Sequence, residues 1–354
     1  MADFDITGGL DPAVDWPLQG KPDDPEMRES VNVWISDDEG RFGFPRVCIE
    51  AVASEWDYRG VEANFAFSDG RVLIGANGYR PYPPKIVDGK VVTMNAGPLT
   101  FEMVEPLRRW KMLFDGPAYE STIARTVAGE LGGPGRRVII DVDMVMGAPP
   151  WVQGEKAMQS GDKVTMAAVG GVGGQRHEQL FTCAGTFEIQ GEPKLSFKGR
   201  GLRIRRTGRR DTGEFPGHCW MSALFPSGKA FGALAFPPRR DGTPAYSEAF
   251  LWDGQRKVAC SVLEAPWMTS FTPHGGPVDL VLDTGQGQVK ISGRTHNSTF
   301  IAAGNPMFGN WAIGGVKAVG GGLPFHQGDA LYTWDGESAY GMIERSLPVG
   351  QYKG

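Results

Sequence analysis

From Val31 to the C-terminus, apolar residues recur in short alternating runs bounded by turn-forming residues, and long runs at helical spacing are scarce. A period of two is the signature of half-buried β-strands. Three segments read as strand, turn, strand. Val61–Phe67 and Arg71–Ile74 flank Ser68-Asp69-Gly70, Trp220–Phe225 and Lys229–Phe236 flank Pro226-Ser227-Gly228, and Leu331–Trp334 and Ser338–Ile343 flank Asp335-Gly336-Glu337. Glycine after a small polar residue supplies the positive φ that tight hairpins need. Tyr119–Glu130 fits a short helix and a strand equally, so the pattern predicts an all-β chain with one ambiguous segment.

The first two hairpins share more than a turn. FAFSDGRVLIG and ALFPSGKAFGA each carry an aromatic, a small-Gly turn and a following basic residue, about 158 residues apart. Such self-similarity predicts duplication of one antiparallel unit of roughly 150 residues. The predicted division is an extension over 1–25, a first domain over 26–190 and a second over 191–354, joined at Gln190-Gly191-Glu192-Pro193. Gly147–Ser160, with Pro149-Pro150, is the other candidate boundary, or a long loop. Composition agrees with many turns: 51 glycines in 354 residues is about twice the usual ~7% share, with no Gly-X-Y period.

Charge narrows the function classes. With 36 Lys+Arg against 41 Asp+Glu the net charge is −5, which excludes a generally basic nucleic-acid binder. The N-terminal MADFDITGGLDPAVD has no basic residue and no apolar run, so no signal peptide is expected. VTMAAVGGVGG at Val164–Gly174 falls short of the ~20 apolar residues that span a bilayer. A soluble, cytoplasmic protein without membrane insertion is the expectation. Cys48, Cys183, Cys219 and Cys260 lack disulfide or zinc spacing and read as buried free thiols. His177, His218, His274, His296 and His326 are too scattered to indicate a metal site. No P-loop, Rossmann fingerprint, HExxH or GxSxG is present, so no nucleotide cofactor or metal is expected.

Three features could carry chemistry. The run Lys198–Arg210, KGRGLRIRRTGRR, holds seven cations. It reads either as a charge-protected edge strand or as a clamp for a carboxylate, phosphate or CoA tail. The tryptophans, among them Trp34, Trp110, Trp220 and Trp311, fill cores or line an apolar pocket. His177-Glu178-Gln179 places His177 and Gln179 on one strand face and Glu178 on the other. His177, Glu178 and His218 are the candidate proton donors and acceptors.

The succession His177-Glu178-Gln179, Gly185-Thr186-Phe187, Gly199-x-Gly201-x-Arg203, Gly208-x-Arg210-Asp211 and a Trp220-centred strand resembles a family of two-domain lipocalin-like proteins. That family is related to hydroxyneurosporene synthase (carotenoid 1,2-hydratase), tocopherol cyclase and fungal Diels-Alderases. Trp334-Asp335-Gly336-Glu337-x-x-Tyr340-Gly341-x-x-Glu344 is similar to its last strands, and Pro98–Trp110 to its first domain. The resemblance implies two lipocalin-like antiparallel β-barrels packed together around a hydrophobic ligand. It departs at Ile204-Arg205-Arg206-Thr207, where members carry Asp-His-Ser-Trp, and at Thr212, where they carry Trp. Arg203, Gly208, Arg210 and Asp211 are retained.

The expected function is therefore a cofactor-independent hydratase/dehydratase, isomerase or cyclase. Its substrate would be a hydrophobic isoprenoid-, steroid- or polyketide-like molecule. A non-catalytic carrier of such a ligand is the alternative, and a homodimer is left open. The expected catalytic set is His177, Glu178, His218 and Asp211. The expected substrate-binding set is Trp34, Trp110, Arg203, Arg210, Trp220, Trp311 and Tyr340.

Overall fold

A computed structural model describes residues 4–128, 133–155, 175–209, 217–237, 246–303 and 323–346. Two closed eight-stranded antiparallel barrels make up the chain. Barrel 1 consists of β1 (Arg28–Asp37), β2 (Phe42–Val52), β3 (Arg59–Phe67), β4 (Arg71–Tyr79), β5 (Arg109–Thr122), β6 (Gly135–Met146), β7 (Gln175–Ile189) and β8 (Leu195–Gly208). Barrel 2 consists of β9 (His218–Leu224), β10 (Ala230–Ala235), β11 (Ser247–Trp252), β12 (Lys257–Glu264), β13 (Leu280–Asp283), β14 (Gln288–Ala303), β15 (Leu323–Trp334) and β16 (Glu337–Ser346). Each is a meander that closes when its last strand pairs with its first, β8 on β1 and β16 on β9.

The three hairpins read from the sequence are β3–β4, β9–β10 and β15–β16. The first two occupy different places in their barrels, the third and fourth strands in one and the first and second in the other. Two similar barrels are present, but the hairpin likeness does not mark equivalent strands. The join expected at Gln190–Pro193 is instead the turn between β7 and β8. β8 pairs with β7 along Leu195–Thr207 and with β1 along Gly199–Gly208. Barrel 1 thus runs through Gly208. The same pairing makes the arginine-rich strand an interior strand, not an edge. The described part of Tyr119–Glu130 is both things it resembled: β5 runs to Thr122, and a short helix α1 spans Ile123–Ala128, with 129–130 outside the described residues.

Alternation sorts the side chains. In barrel 1 one phase points inward, and Phe42, Phe44, Phe65, Phe67, Phe114, Phe187 and Phe197 fill the interior with ring contacts at 5.0–6.4 Å. Barrel 2 is lined by smaller groups, including Cys219, Ala223, Ala233, Ala249, Cys260, Ala330 and Ala339, with Phe231 against Tyr332 at 5.1 Å. All four cysteines are buried free thiols. The other phase of β1, β2, β3, β7 and β8 faces barrel 2 in place of solvent. It forms an inter-barrel layer whose apolar part includes Trp34, Leu180, Leu202, Ile204, Trp220 and Met342. Gly201, in the inward phase of β8 with Arg203, permits close packing inside barrel 1. A Cβ there would lie 2.0 Å from the Trp34 carbonyl oxygen and 2.5 Å from the Phe181 ring.

The segment before β1 plugs one end of barrel 1. A single 3-10 turn at Pro12–Asp15 is started by Asp11, whose side chain accepts the Ala13 N–H at 2.8 Å. This turn drops Asp15 into the barrel, completely buried. Among the described residues no helix is long and apolar enough to cross a membrane.

Candidate functional site

Two buried ionic clusters contain most of the residues singled out from the sequence. The first is the barrel 1 plug. Asp15 accepts four hydrogen bonds: Oδ1 from Arg203 at 2.7 Å and His177 Nε2 at 2.9 Å, Oδ2 from the Leu107 N–H at 2.7 Å and Trp110 Nε1 at 2.8 Å. Arg203 donates also to Gln179 Oε1 at 2.8 Å and lies 4.5 Å over the Trp110 ring. Burial pushes the Asp15 carboxyl up, but Arg203, His177 and the Leu107 N–H outweigh it and hold the group far below the usual carboxylate range. Burial likewise lowers His177, partly offset by Asp15. Arg205 spends its charge nearby on Glu29 at 2.6 Å and donates to the Trp16 carbonyl. His177, Trp110 and Arg203 therefore share one cluster inside barrel 1 in which both oxygens of Asp15 are fully met, while Arg203 Nε has no hydrogen-bond partner among the described residues.

The second cluster lies in the inter-barrel layer. Arg46 is its hub. β2 is bulged between Gly43 and Val47, and Arg46 there has φ 98°, a region costly for a non-glycine residue. Bulges re-aim side chains, and this one sends the guanidinium to Glu62 Oε2 at 3.3 Å and Glu344 Oε2 at 4.0 Å. Arg46 also stands 5.8 Å over the Trp34 ring.

A hydrogen-bond chain joins these carboxylates across the two barrels. Asn64 Nδ2 donates to Glu62 Oε1 at 2.7 Å and to Gln327 Oε1 at 3.4 Å, and Gln327 Nε2 donates to Glu344 Oε2 at 2.7 Å. His218 completes it, with Nε2 2.9 Å from Glu344 Oε1 and Nδ1 2.6 Å from Ser346 Oγ. Ser346 Oγ accepts the His218 backbone N–H at 3.1 Å, so its own proton is directed to Nδ1. That arrangement places the imidazole proton on Nε2, facing Glu344.

The two carboxylates are pushed apart in acidity. Burial raises Glu62 to about 7, Arg46 opposing and Glu344 adding to the rise. Glu344 is equally buried, yet the hydrogen bond of His218, with Arg46 and the Gln327 amide, holds it below its usual value. At neutral pH a partly protonated carboxyl and a carboxylate thus share one guanidinium. Environments that split two acids in this way assign acid and base roles. Beside them Trp34 and Trp220 meet edge to face at 5.1 Å. Trp220 Nε1 donates to Glu178 Oε2 at 3.0 Å, Arg176 bonds the same carboxylate, and its guanidinium lies 4.5 Å over the Trp220 ring. Burial raises Glu178 against the pull of Arg176.

Among the buried polar atoms of this layer, Trp34 Nε1, Asn64 Oδ1, Arg176 Nε and Ser222 Oγ have no hydrogen-bond partner among the described residues. Native interiors rarely leave such groups unmet. At the edge of the layer Tyr340 covers Gly40, and its ring lies 5.1 Å from that of His296, which bonds the Gly40 carbonyl at 2.8 Å.

The structure thus brings Trp34, Glu178, His218 and Trp220 into one layer with Tyr340 at its edge, and gathers His177, Trp110 and Arg203 elsewhere. Asp211, Arg210 and Trp311 lie outside the described residues. Sequence reasoning missed Arg46, Glu62, Asn64, Gln327 and Glu344 as site residues, and Asp15 as the partner of His177. Among the described residues no group of three or more His, Cys, Asp or Glu side chains is placed to hold a metal ion.

No protein-family model and no curated protein matches the chain. Solved structures do. A protein assigned as AttH from Nitrosomonas europaea superposes with a TM-score of 0.55 at 15% identity, over 92% of this chain and 94% of that one. CghA in complex with Sch210972 gives a TM-score of 0.55 at 14% identity, over 92% and 89%. Identities this low establish the fold. The chain has the two-barrel lipocalin-like fold of these structures, the architecture that its resemblance to the hydratase and cyclase family implies.

Proposed function

We infer that the chain is an enzyme working by proton transfer, without a cofactor, on a hydrophobic small molecule held in the inter-barrel layer. Glu62 is the general acid and Glu344, paired with His218, the general base. Arg46 stabilises negative charge that develops between them, and Trp34 and Trp220 provide an apolar, π-rich wall for a polycyclic or polyene body. Glu178 is a second proton donor on the Trp220 side. Hydration or dehydration, double-bond isomerisation and cyclisation all need this acid, base and dry wall, and substrates of isoprenoid, steroid or polyketide type fit the wall. The observation that carries the reading is the pair of buried carboxylates on Arg46 with opposite shifts in acidity. The crystal structure of CghA with Sch210972 supports the capacity of this fold to hold a ligand.

A carrier is the second reading, favoured by Ile204, which stands in the apolar part of the layer where the resembled family has Asp. Purified protein incubated with a lipophilic extract of its source cells distinguishes them. Recovery of a bound compound altered by one water, or isomeric with its precursor, supports the enzyme. Loss of that conversion by ~100-fold or more in Glu62→Gln and Glu344→Gln, with binding retained, supports the assigned roles. A ligand recovered unchanged, from wild type and variants alike, identifies the carrier.

A further inference from the structure

Glu62 and Glu344 face a defined set of charges. Arg46 and the Cys48 thiol of β2 stand beside Glu62, with Glu50 further along that strand, and His218 of β9 stands beside Glu344. Between the two carboxyls lie two neutral amides. Asn64 is two residues from Glu62 on the same face of β3, and Gln327 is directly opposite Glu344 in the β15–β16 ladder. Both are completely buried, so only their neighbours decide how they stand.

An amide offers donors on one side and an acceptor on the other, and its orientation follows from the partners around it. At the Glu344 end the orientation is forced. Both oxygens of that carboxylate take donors, Oε1 from His218 Nε2 at 2.9 Å and Oε2 from Gln327 Nε2 at 2.7 Å. Gln327 must then turn its oxygen toward Asn64, whose Nδ2 faces it at 3.4 Å and donates to Glu62 Oε1 at 2.7 Å. Reversing Asn64 would set its carbonyl oxygen against that of Gln327.

The cost of this orientation appears at Asn64 Oδ1, which is buried without a hydrogen-bond partner among the described residues. Glu62 beside it is partly protonated at neutral pH. A carboxyl O–H needs an acceptor, so an unconstrained amide would turn its oxygen to the acid and satisfy both groups. Asn64 is held the other way round by Gln327.

We propose that Gln327 is a positioning residue for the proton transfer: anchored on Glu344, it keeps the Asn64 N–H against Glu62 Oε1 and so leaves Oε2 as the oxygen that carries the acidic hydrogen. This role rests on the acid and base assigned above to Glu62 and Glu344. Neither amide touches the substrate; both act through the carboxyls they orient.

Carbon-13 titration of the two glutamate carboxyls in the full chain tests this, in wild type, Gln327→Met, Asn64→Leu and the double variant. Both substitutions keep the side chain close to its original volume. Gln327→Met should raise the Glu344 midpoint, which loses a donor. It should also raise Glu62, which Gln327 does not touch, by about one pH unit, because the released Asn64 turns its oxygen to the acid. In the Asn64→Leu background the same substitution should move Glu344 alone. Asn64→Leu by itself should raise Glu62 and leave Glu344 in place. Three results overturn the proposal: a Glu62 midpoint indifferent to Gln327→Met, a Glu62 response that persists in the double variant, or a Glu344 shift in Asn64→Leu as large as that of Glu62. Wild-type carboxyls that titrate together would overturn the acid and base assignment and this role with it, whereas separated midpoints without coupling overturn the role of Gln327 alone.

Discussion

The plug of barrel 1 and the layer between the barrels are both buried, both ionic and both organised by an arginine, yet they differ in how completely each charge is met. Asp15 has a donor for every strong acceptor position and stays ionised. Glu62 shares Arg46 with Glu344 and is pushed to about 7. Full satisfaction gives a rigid closure with no proton to exchange at neutral pH. Shared satisfaction leaves a proton poised on one of two carboxylates that compete for a single guanidinium. The contrast relocates proton chemistry from His177, the more conspicuous residue in the sequence, to a site whose acids are inconspicuous there.

The largest effect expected from this contrast is on stability. Asp15→Asn strands the fully buried Arg203 charge and should cost about 3–5 kcal/mol, whereas Glu62→Gln replaces an acid that is already half protonated and should be neutral or stabilising. Urea denaturation of both variants at pH 7 checks the difference. Equal losses would remove the distinction between the clusters.

The pH dependence of stability follows next in size, with opposite signs for the two clusters. Asp15 has a depressed folded value, so its stabilising contribution is present above its ordinary 3.8 and is lost as pH falls below it. Glu62 and a further buried carboxyl, Asp329 of β15, which accepts the Asn297 N–H at 2.8 Å, are each raised by burial to about 7 and do the reverse. The folded state holds their protons more tightly, so stability declines as pH rises from about 4 to about 7, by up to ~1.4 kcal/mol per pH unit for each group. Above that range the decline stops. Unfolding midpoints at intervals from pH 3 to 8 should show both limbs, and Glu62→Gln should roughly halve the slope of the upper one while leaving the acid limb intact.

The smallest expected effect is local. Ser346→Ala removes the hydroxyl that fixes the His218 tautomer and should cost about 1 kcal/mol. It should nevertheless lower any turnover disproportionately and shift its pH profile, because Nε2–H would no longer be held toward Glu344. A change in turnover no larger than the change in stability would show that His218 is structural.

The fold was legible because its signals are local. Ser68-Asp69-Gly70 and Asp335-Gly336-Glu337 announce hairpins whose strands alternate cleanly, and both form. The closure of each barrel was not local: the turn at Gln190–Pro193 resembles a linker, and only the pairing of Leu195–Gly208 with β1 assigns it to barrel 1. The site was legible in part. His218, Trp220 and Trp34 stood out by residue type, but Glu62 and Asn64 occupy the polar phase of β3 and read as solvent-facing positions. One signal was available: the same phase of β1 carries Trp34 beside Ser30 and Asn32, a large apolar ring out of place on a face in water. Asp15 carried no such signal, since an acid in an acidic N-terminal segment looks solvated until a barrel closes around it.

The central claim, that Glu62 is an acid and Glu344 a base at neutral pH, can be tested without knowing the substrate. Carbon-13 NMR titration of the glutamate side-chain carboxyls, assigned with Glu62→Gln and Glu344→Gln, reads both directly. The account predicts a midpoint near 7 for Glu62 and one below 4.5 for Glu344. Two carboxyls titrating together near the ordinary glutamate value would contradict it.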